Sequence, residues 1–370
     1  MPSILKGFLL AVWRRAGRNS TNRPLVAKSA VDSKSDAYSF ISFYSATVMT
    51  TIVFIQMASN WSSLMKKIVN SSLDKYIDVT VQRRCYITTM IMLALAICEY
   101  KLSFENLLSQ NTKIMNVIHC SADNVSIYET FVEVSFPWFK ELDWTVPIPA
   151  GILLQFFNVT ATLNWSYSDI FIICISLYLA SILKKINETM AQVDLRFYHP
   201  TFWSNIREDY TRATQLIATF DDNISGLMLI SFASNLFFIC LQLFHILSHG
   251  LQEKTGNKAD PCVANEKVYS YLMYFLFSLT FVLGRFLAVS MVAASVNTAS
   301  KAPGPILYGV PAHAYCNEVQ RFIEQVHGDN VALSGLQFFY VTKGLVLTVA
   351  GTIVTYELVL LQFNGEDANS

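Results

Sequence analysis

The chain has 370 residues, of which 53% are hydrophobic and only 15% are charged. Soluble domains carry about 25% charged residues, so this composition excludes a water-soluble globular fold. Its 27 Lys and Arg balance its 27 Asp and Glu, so the chain has no net charge that would attract nucleic acid or an acidic partner.

The first 37 residues are a basic arm that precedes the membrane domain. Its apolar stretch, Phe8 to Trp13, is far shorter than the roughly 20 residues that a membrane span needs. Arg14 and Arg15 follow that stretch, whereas the basic residues of a signal peptide come before it. Because an excess of Lys and Arg is typical of cytoplasmic segments, residues 1–37 are predicted to be cytoplasmic in a full-length form.

Long apolar stretches recur along the rest of the chain and predict an all-α, polytopic helical membrane protein. The six candidate spans are Tyr38 to Ala58, Cys85 to Phe104, Val146 to Leu183, Ile224 to His249, Val268 to Ala294 and Leu336 to Phe363. The third span has a polar middle, Asn158 to Asp169, but its second half is too short to cross a bilayer alone. We therefore predict one long helix that runs into the cytoplasm, within a membrane domain of residues 38–363.

The Lys and Arg residues beside the spans predict the orientation of the chain. The segments after the first and third spans are basic, with Lys66, Lys67, Lys75, Arg83 and Arg84 in one and Lys184, Lys185, Arg196, Arg207 and Arg212 in the other. Both are predicted to be cytoplasmic, which places loops 105–145 and 250–267 and the tail 364–370 outside the cell. An even number of spans then places the N-terminal arm outside as well, in conflict with its basic composition.

Two features of the extracellular loops follow from that orientation. Asn124 is the credible glycosylation site, because most other Asn-X-Ser/Thr sequences fall in membrane or cytoplasm. Cys120 and Cys262 fall in the two long loops, where an oxidising space permits a disulfide; two unlinked thiols remain the alternative.

Motifs of catalysis and cofactor binding are absent from the sequence. There is no GxGxxG, GxxxxGKS, HExxH, CxxC or GxSxG, and the six His make no metal-binding spacing. The sequence therefore indicates neither an enzyme nor a cofactor nor a metal site.

Polar residues inside the spans are the candidates for function, because they are costly in lipid. One set falls in the predicted outer halves of the second to fifth spans. Its members are Glu99, Gln155, Asn158, Trp165, Asn235, Gln242, His245, Tyr271, Tyr274 and Ser278. Aromatic rings cover the C–H faces of a polyhydroxylated ligand, while amides and carboxylates meet its hydroxyls. The alternative is that these residues form hydrogen bonds between helices.

Arg285 and Asp169 lie at comparable depth in the fifth and third spans. An unpaired charge is costly in hydrocarbon, so we predict that the two form a buried ion pair. Such a pair serves structure as readily as function, because removing one partner usually costs stability in either case.

The last span carries the most specific motif of the chain. Thr355-Tyr356, followed after five residues by Gln362-Phe363, resembles the terminal signature of insect gustatory receptors. The longer string Ala350 to Phe363 resembles the sugar-receptor branch of that family, as does Leu283 to Ser290. The resemblance covers the chain from Tyr38 onward.

The resemblance implies the fold and the activity of the gustatory and odorant receptor type. It implies seven spans, a cytoplasmic N-terminus, an extracellular C-terminus and a multi-pass protein of the plasma membrane, surrounded by lipid. It also implies a homo- or hetero-tetramer with other gustatory receptor subunits, acting as a non-selective cation channel that sugars open, with the last span lining the pore. Against that pattern, we expect the chain as given to lack the family's first span, which would explain the conflict over the arm.

On the same resemblance, Gln362 and Phe363 match the family's positions at the pore constriction. A ring of Phe363 side chains blocks ions by excluding water, and Glu357 lends cation preference where it faces the pore. Tyr356 is the neighbouring candidate. From the residues alone, a terminal Gln-Phe is an interfacial anchor, and Glu357 equally fits a hydrogen bond between helices.

Two other functions compete with the channel. A seven-helix receptor coupled to a cytoplasmic partner would place the N-terminus outside, which the basic arm opposes. A secondary transporter of a small polar solute predicts repeated halves with Gly- or Pro-interrupted segments, and the sequence shows no such symmetry.

Overall fold

The computed structural model describes residues 24–120, 147–192, 199–252 and 268–366, together with Tyr128, Phe131, Val132 and Ser135. Within these ranges, the side chains of residues 24–38, 110–120, 244–252, 268–272 and 356–366 are outside the description. The described residues are helical apart from turns, short connections and one isolated antiparallel bridge, between Ser334 and Tyr340. The all-α prediction is therefore confirmed for this part of the chain.

The described helices follow the chain in this order: α1 Pro24–Asn70, a 3-10 turn Asp74–Tyr76, α2 Val79–Cys120, α3 Ile148–Ala191, α4 Pro200–Gln252, α5 Val268–Lys301, α6 Pro303–Tyr308, α7 Asn317–Gly328 and α8 Lys343–Glu366. Five of them contain segments long and apolar enough to cross a membrane: Ser39–Asn70, Val79–Ser109, Ile148–Ala191, Pro200–Leu243 and Met273–Tyr308. The sixth predicted span falls on α8. The part of α8 whose side chains are described is a shorter apolar stretch, Lys343–Thr355.

Most helices are longer than the spans predicted from hydropathy. α3 is one continuous helix despite its polar middle, as the shortness of its second half predicted, and it continues past Leu183 to Ala191. α4 begins at Pro200, well before the predicted start at Ile224, and proline suits a helix start because it has no amide hydrogen to lose. α2 continues to Cys120, so the first part of the predicted loop 105–145 is helical instead. A hydropathy scan misses such extensions because they carry charged residues.

The predicted start of the last span, Leu336, is wrong. The chain makes a turn there, in which Leu336 and Gln337 have φ of 46° and 58°. The amide of Val341 donates to the carbonyl of Leu333 at 2.8 Å, which closes the turn. The helix begins at Lys343, after the hydroxyl of Thr342 accepts a hydrogen bond from the amide of Leu345.

The chain divides into two compact units, each built from stretches of several helices. The first unit takes its described residues from Met1–Val48, Leu95–Asn164 and His245–Phe281. Within it, the Asn164 amide donates to the carbonyl of Thr47 at 3.2 Å, and the Tyr128 hydroxyl donates to the carbonyl of Pro147 at 3.0 Å. Polar side chains therefore join the helix α3 to its neighbours in this unit.

The second unit takes its described residues from Met49–Ala94, Trp165–Phe244 and Val282–Ser370. Its largest fully buried side chains include Trp203, Tyr210, Phe322, Leu73, Ile172, Leu179 and Ile186. The Tyr210 and Phe322 rings lie 5.1 Å apart, and the Tyr210 hydroxyl donates to the carbonyl of Ser300 at 2.8 Å. This core joins α3, α4, α5 and α7 with the turn after α1.

Asp209 on α4 fixes the turn that follows α1. Its Oδ2 accepts hydrogen bonds from Lys75 Nζ at 2.6 Å and from the Tyr76 hydroxyl at 2.8 Å. Burial, and then the bond to the Asp209 carboxylate, raise the pKa of the Tyr76 phenol above its ordinary value. Tyr76 therefore stays neutral and acts as a hydrogen-bond donor.

Candidate functional site

Three polar pairs join α2, α3 and α5 inside the first unit. Ser278 Oγ donates to Glu99 Oε1 at 3.2 Å, and Gln155 Nε2 donates to the Tyr100 hydroxyl at 2.9 Å. The Tyr274 hydroxyl lies 3.3 Å from Ser103 Oγ and donates to it. All three pairs lie on apolar helix segments long enough to span a membrane, where polar groups are costly.

The α2 members of these pairs share one face of the helix. Glu99 and Ser103 are four residues apart, a spacing that stacks two side chains on one helix face. Glu99, Gln155 and Tyr274 are only half-buried, whereas Ser278 is 4% exposed. The three pairs together thus present a carboxylate, an amide and two phenol hydroxyls, and each phenol hydroxyl both donates and accepts hydrogen bonds.

The other members of the predicted ligand set are Asn158, Trp165, Asn235, Gln242, His245 and Tyr271. Asn158 belongs to the first unit and is half-buried, while the side chain of Tyr271 lies outside the described residues. Trp165, Asn235 and Gln242 belong to the second unit. The structure therefore brings together Glu99, Gln155 and Tyr274 as one group within the first unit, with Ser278 of the same predicted set bonded to Glu99.

A buried ion pair lies in the second unit. Arg285 donates to Asp169 Oδ2 from Nη2 at 2.7 Å and from Nε at 3.0 Å, and the two side chains are 1% and 0% exposed. Asp169 also accepts hydrogen bonds from Ser231 Oγ at 2.5 Å and from Asn235 Nδ2 at 3.2 Å. The carboxylate is thus matched by one guanidinium and two neutral donors, as a buried charge requires.

Trp165 packs directly on this pair. The Arg285 guanidinium carbon lies 4.1 Å from the centre of the Trp165 indole ring. The ring of Phe238, on α4, lies 5.0 Å from the Trp165 ring, measured between ring centres. A cation over an aromatic face is attracted to its negative quadrupole. Trp165 and Asn235, which the sequence placed in the ligand set, therefore have partners in the ion-pair cluster of Asp169, Ser231, Asn235 and Arg285.

A second carboxylate fixes the turn before α8, and the sequence did not predict it. Asp221 on α4 accepts the Ser334 amide at 2.6 Å on Oδ1 and the Ser334 hydroxyl at 2.7 Å on Oδ2. The contact joins residues 113 positions apart. Its only signal in the sequence is the adjacent pair Asp221 and Asp222 just before a predicted span. This clamp, Asp221 with Ser334, holds the turn that contains Leu336 and Gln337.

Replacing Ser334 by alanine is expected to lower the unfolding free energy of the protein by about 1 to 3 kcal/mol, because the Asp221 carboxylate loses a charge-assisted bond. The loss is measured as a fall in the thermal unfolding midpoint of the purified protein. Ser59→Ala is the matched control, since that exposed hydroxyl donates only to the carbonyl of Gln56 in its own helix. Equal midpoints for the two variants would contradict the role of the clamp.

Several sequence predictions concern residues outside the described side chains. Tyr356, Glu357, Gln362 and Phe363 lie on α8, whose backbone continues to Glu366, but their side chains are not described. The same holds for Cys120 at the end of α2, and Asn124 and Cys262 lie outside the described residues. The gate, the glycosylation site and the disulfide therefore remain predictions. Among the described residues, no three His, Cys, Asp or Glu side chains group as a metal site.

Comparison with known families connects these features to a class of proteins. A family model described as the trehalose receptor matches residues 20–370. The chain belongs to the trehalose receptor family. The recognition of the sugar-receptor branch from the terminal motif and from Leu283 to Ser290 is thereby confirmed.

Curated relatives of this trehalose receptor family member come from Drosophila melanogaster. It is 34% identical over 331 residues to the gustatory receptor for sugar taste 64f, covering 88% of this chain and 66% of the relative. It is 32% identical over 355 residues to the gustatory receptor 5a for trehalose, covering 92% and 72%. The chain thus spans about two thirds to three quarters of the length of these relatives.

Solved structures define the fold of the receptor. The insect olfactory receptor OR5 from Machilis hrabei, in complex with eugenol, superposes with a TM-score of 0.56 at 14% identity, covering 96% of this chain and 87% of that one. A second structure of the same olfactory receptor gives a TM-score of 0.55, covering 88% and 80%. The receptor therefore has the helical fold of insect olfactory receptors, which confirms the predicted fold class.

Proposed function

We propose that the chain is a subunit of a sugar-gated, non-selective cation channel in the plasma membrane. The observation that carries the proposal is the group of Glu99, Gln155 and Tyr274 in the first unit. These are three chemically different polar side chains on three helices that are long and apolar enough to cross a membrane. Membership of a family whose relatives include receptors for sugar taste and for trehalose supports a sugar as the ligand. Permeant cations and further gustatory receptor subunits, assembled as a tetramer, complete the proposed channel.

The chemistry of the group suits a sugar. Each ring hydroxyl of a sugar both donates and accepts hydrogen bonds, and the Glu99 carboxylate accepts while the Gln155 amide does both. The phenol rings of Tyr100 and Tyr274 add apolar faces for the sugar's C–H groups. These side chains are paired with protein partners, so a sugar that enters exchanges one hydrogen bond for another at small net cost.

α8 has the properties of a pore helix. Its 24 residues extend about 36 Å, enough to cross a hydrocarbon core of about 30 Å. Thr348 and Thr355 are exposed and seven residues apart, so they share one face of the helix. Each hydroxyl donates to the carbonyl four residues earlier, at 2.9 and 2.8 Å, and keeps lone pairs that can accept from water. We propose that this face lines the pore of the assembled channel.

Glu99→Gln is expected to raise the half-maximal sugar concentration about tenfold or more, because one charge-assisted hydrogen bond is worth about 1.5 to 3 kcal/mol. The measurement is a sugar dose–response of whole-cell current at matched surface expression. Glu105→Gln is the control on the same helix, since the Glu105 side chain is 56% exposed and lies 3.7 Å from Lys101. Trp165→Ala is a poorer test, because the Trp165 ring supports Arg285.

An unchanged dose–response for Glu99→Gln would place the sugar elsewhere. Recording from excised patches, with no cytosol present, then separates the channel from the two competing functions. A sugar-evoked cation current in such a patch supports the channel, whereas a receptor coupled to a cytoplasmic partner would fall silent. A secondary transporter would carry sugar without the unitary current steps of a channel.

A further inference from the structure

Two free thiols meet between α2 and α3 in the second unit. Cys85 on α2 and Cys174 on α3 are both half-buried. The Cys85 thiol donates to the carbonyl of Cys174 at 3.9 Å, and the Cys174 side chain is a further hydrogen-bond partner of that thiol. Neither residue belongs to the group proposed for sugar binding or to the ion-pair cluster.

A hydroxyl completes this place on the helix pair. Thr89 Oγ1 lies 3.8 Å from Cys174 Sγ. Cys85 and Thr89 are four residues apart, so they lie one turn from each other on the same face of α2. Two sulfur atoms and one hydroxyl therefore converge at one point of the contact between α2 and α3.

The donor set selects a soft metal ion with a low coordination number. Thiolates favour soft ions such as Cu(I), and among the described residues no third His, Cys, Asp or Glu joins the two thiols. Structural Zn²⁺ takes four protein ligands, and Ca²⁺ takes six or more oxygens. Two metal–sulfur bonds of about 2.3 Å hold their sulfurs about 4 to 5 Å apart, so a metal ion fits between thiols in contact with little movement of the helices.

We propose that Cys85 and Cys174 form a two-coordinate site for a soft monovalent metal ion, of which Cu(I) is the biological member. Two metal–sulfur bonds form as the two S–H protons leave to solvent, and no electron is transferred. The complex carries one net negative charge. The Thr89 hydroxyl donates to the Cys174 sulfur, and the exposed Arg83 and Arg84 precede Cys85 on α2. The bound ion would tie α2 to α3.

The predicted orientation places this site where such an ion occurs. Arg83 and Arg84 belong to the basic segment that is predicted to be cytoplasmic. The cytoplasm keeps thiols reduced, which leaves the pair available as metal ligands and keeps copper in the Cu(I) state.

The test measures Cu(I) binding to the purified chain under anaerobic conditions with ascorbate as reductant. Bathocuproine disulfonate competes for the metal, and the colour of its Cu(I) complex reports the amount released. Losing a residue that only supports a metal ligand costs about 10- to 100-fold in affinity, so Cys85→Ser and Cys174→Ser should each weaken the tightest site by about 100-fold or more. Thr89→Val should weaken it about 10-fold. Cys98→Ser is the matched control, because it removes an exposed thiol from the same helix and should leave the affinity unchanged.

A second measurement needs no variant. X-ray absorption of the parent chain loaded with one equivalent of Cu(I) should show a shell of two sulfur atoms, and a shell of three or four sulfurs would overturn the two-coordinate site. Equal Cu(I) affinity of Cys85→Ser and Cys98→Ser would overturn the role of the pair. Zn²⁺ held as tightly as Cu(I), and lost in the same two variants, would overturn the choice of a soft monovalent ion.

Discussion

Phe363→Ala is expected to produce a cation current in the absence of sugar. Phe363 lies near the end of α8, which continues to Glu366, so in the proposed tetramer four copies meet around the symmetry axis. Four such rings exclude water from a narrow neck, whereas four methyl groups leave it wide enough to stay wet and conduct. The measurement is the basal current of cells expressing the variant, normalised to receptor at the surface.

Two neighbouring variants make this experiment decisive. Leu361→Ala truncates a large apolar residue whose position is about 200° around the helix axis from that of Phe363, so the proposed gate should stay closed. Gln362→Ala should change conduction or sugar sensitivity without abolishing assembly. A Phe363→Ala receptor that reaches the surface in normal amount and stays closed would disprove the gate. The constriction would then be sought at Tyr356 and Glu357, while a mere anchor would show reduced surface expression and no basal current.

Breaking the buried ion pair should remove most of the folded receptor. Arg285→Met leaves the Asp169 carboxylate buried with the neutral donors Ser231 and Asn235, and Asp169→Asn removes the carboxylate that the buried guanidinium bonds. Removing one partner of a buried pair costs about 3 to 5 kcal/mol, a large part of the whole stability of a typical domain. The expected result is a severe loss of receptor at the surface and of the monodisperse peak after solubilisation.

The double variant Asp169→Asn with Arg285→Met is the informative control. It removes both charges; the new amide oxygen still accepts from Ser231, and its NH2 donates to Asn235 Oδ1 once the Asn235 amide turns over, so much of the lost expression should return. Arg285→Lys should give an intermediate result, because a lysine keeps the charge but loses the two-donor geometry and the flat contact with Trp165. A double variant as poor as the single variants would show that the pairing itself is not what stabilises the fold.

Hydropathy was sufficient to predict the helices of the spans but not their ends, and it did not predict the short helices α6 and α7. Apolar length alone places every predicted span on a helix, because a segment that crosses a bilayer must satisfy its own backbone. It failed at Leu336, where an apolar sequence makes a turn held by Asp221, a residue far away in the chain. It also failed at Pro200, because the charged residues after it lower the hydropathy without interrupting the helix.

The polar contacts were predictable only where few partners were available. The ion pair of Asp169 and Arg285 was predicted from their comparable depth in the spans alone, since charges inside the spans are rare and each needs a partner. The clamp of Asp221 with Ser334 had many possible partners at the membrane surface, and no spacing connects residues so far apart. Trp165 entered the ligand set because an indole suits a sugar ring. The same flat face also suits a guanidinium, and sequence does not separate the two uses.

The length of α4 means that this receptor folds in two different solvents. Its 53 residues extend about 80 Å, far more than the roughly 30 Å of a hydrocarbon core, and Trp203 and Tyr210 are buried in its charged first third. Between helices in lipid there is no hydrophobic driving force, because lipid tails are as apolar as the side chains. The Trp203 and Tyr210 core is instead assembled by the expulsion of water, with the large heat-capacity change that accompanies it. We therefore expect cooling to weaken this core more than the packing within the bilayer.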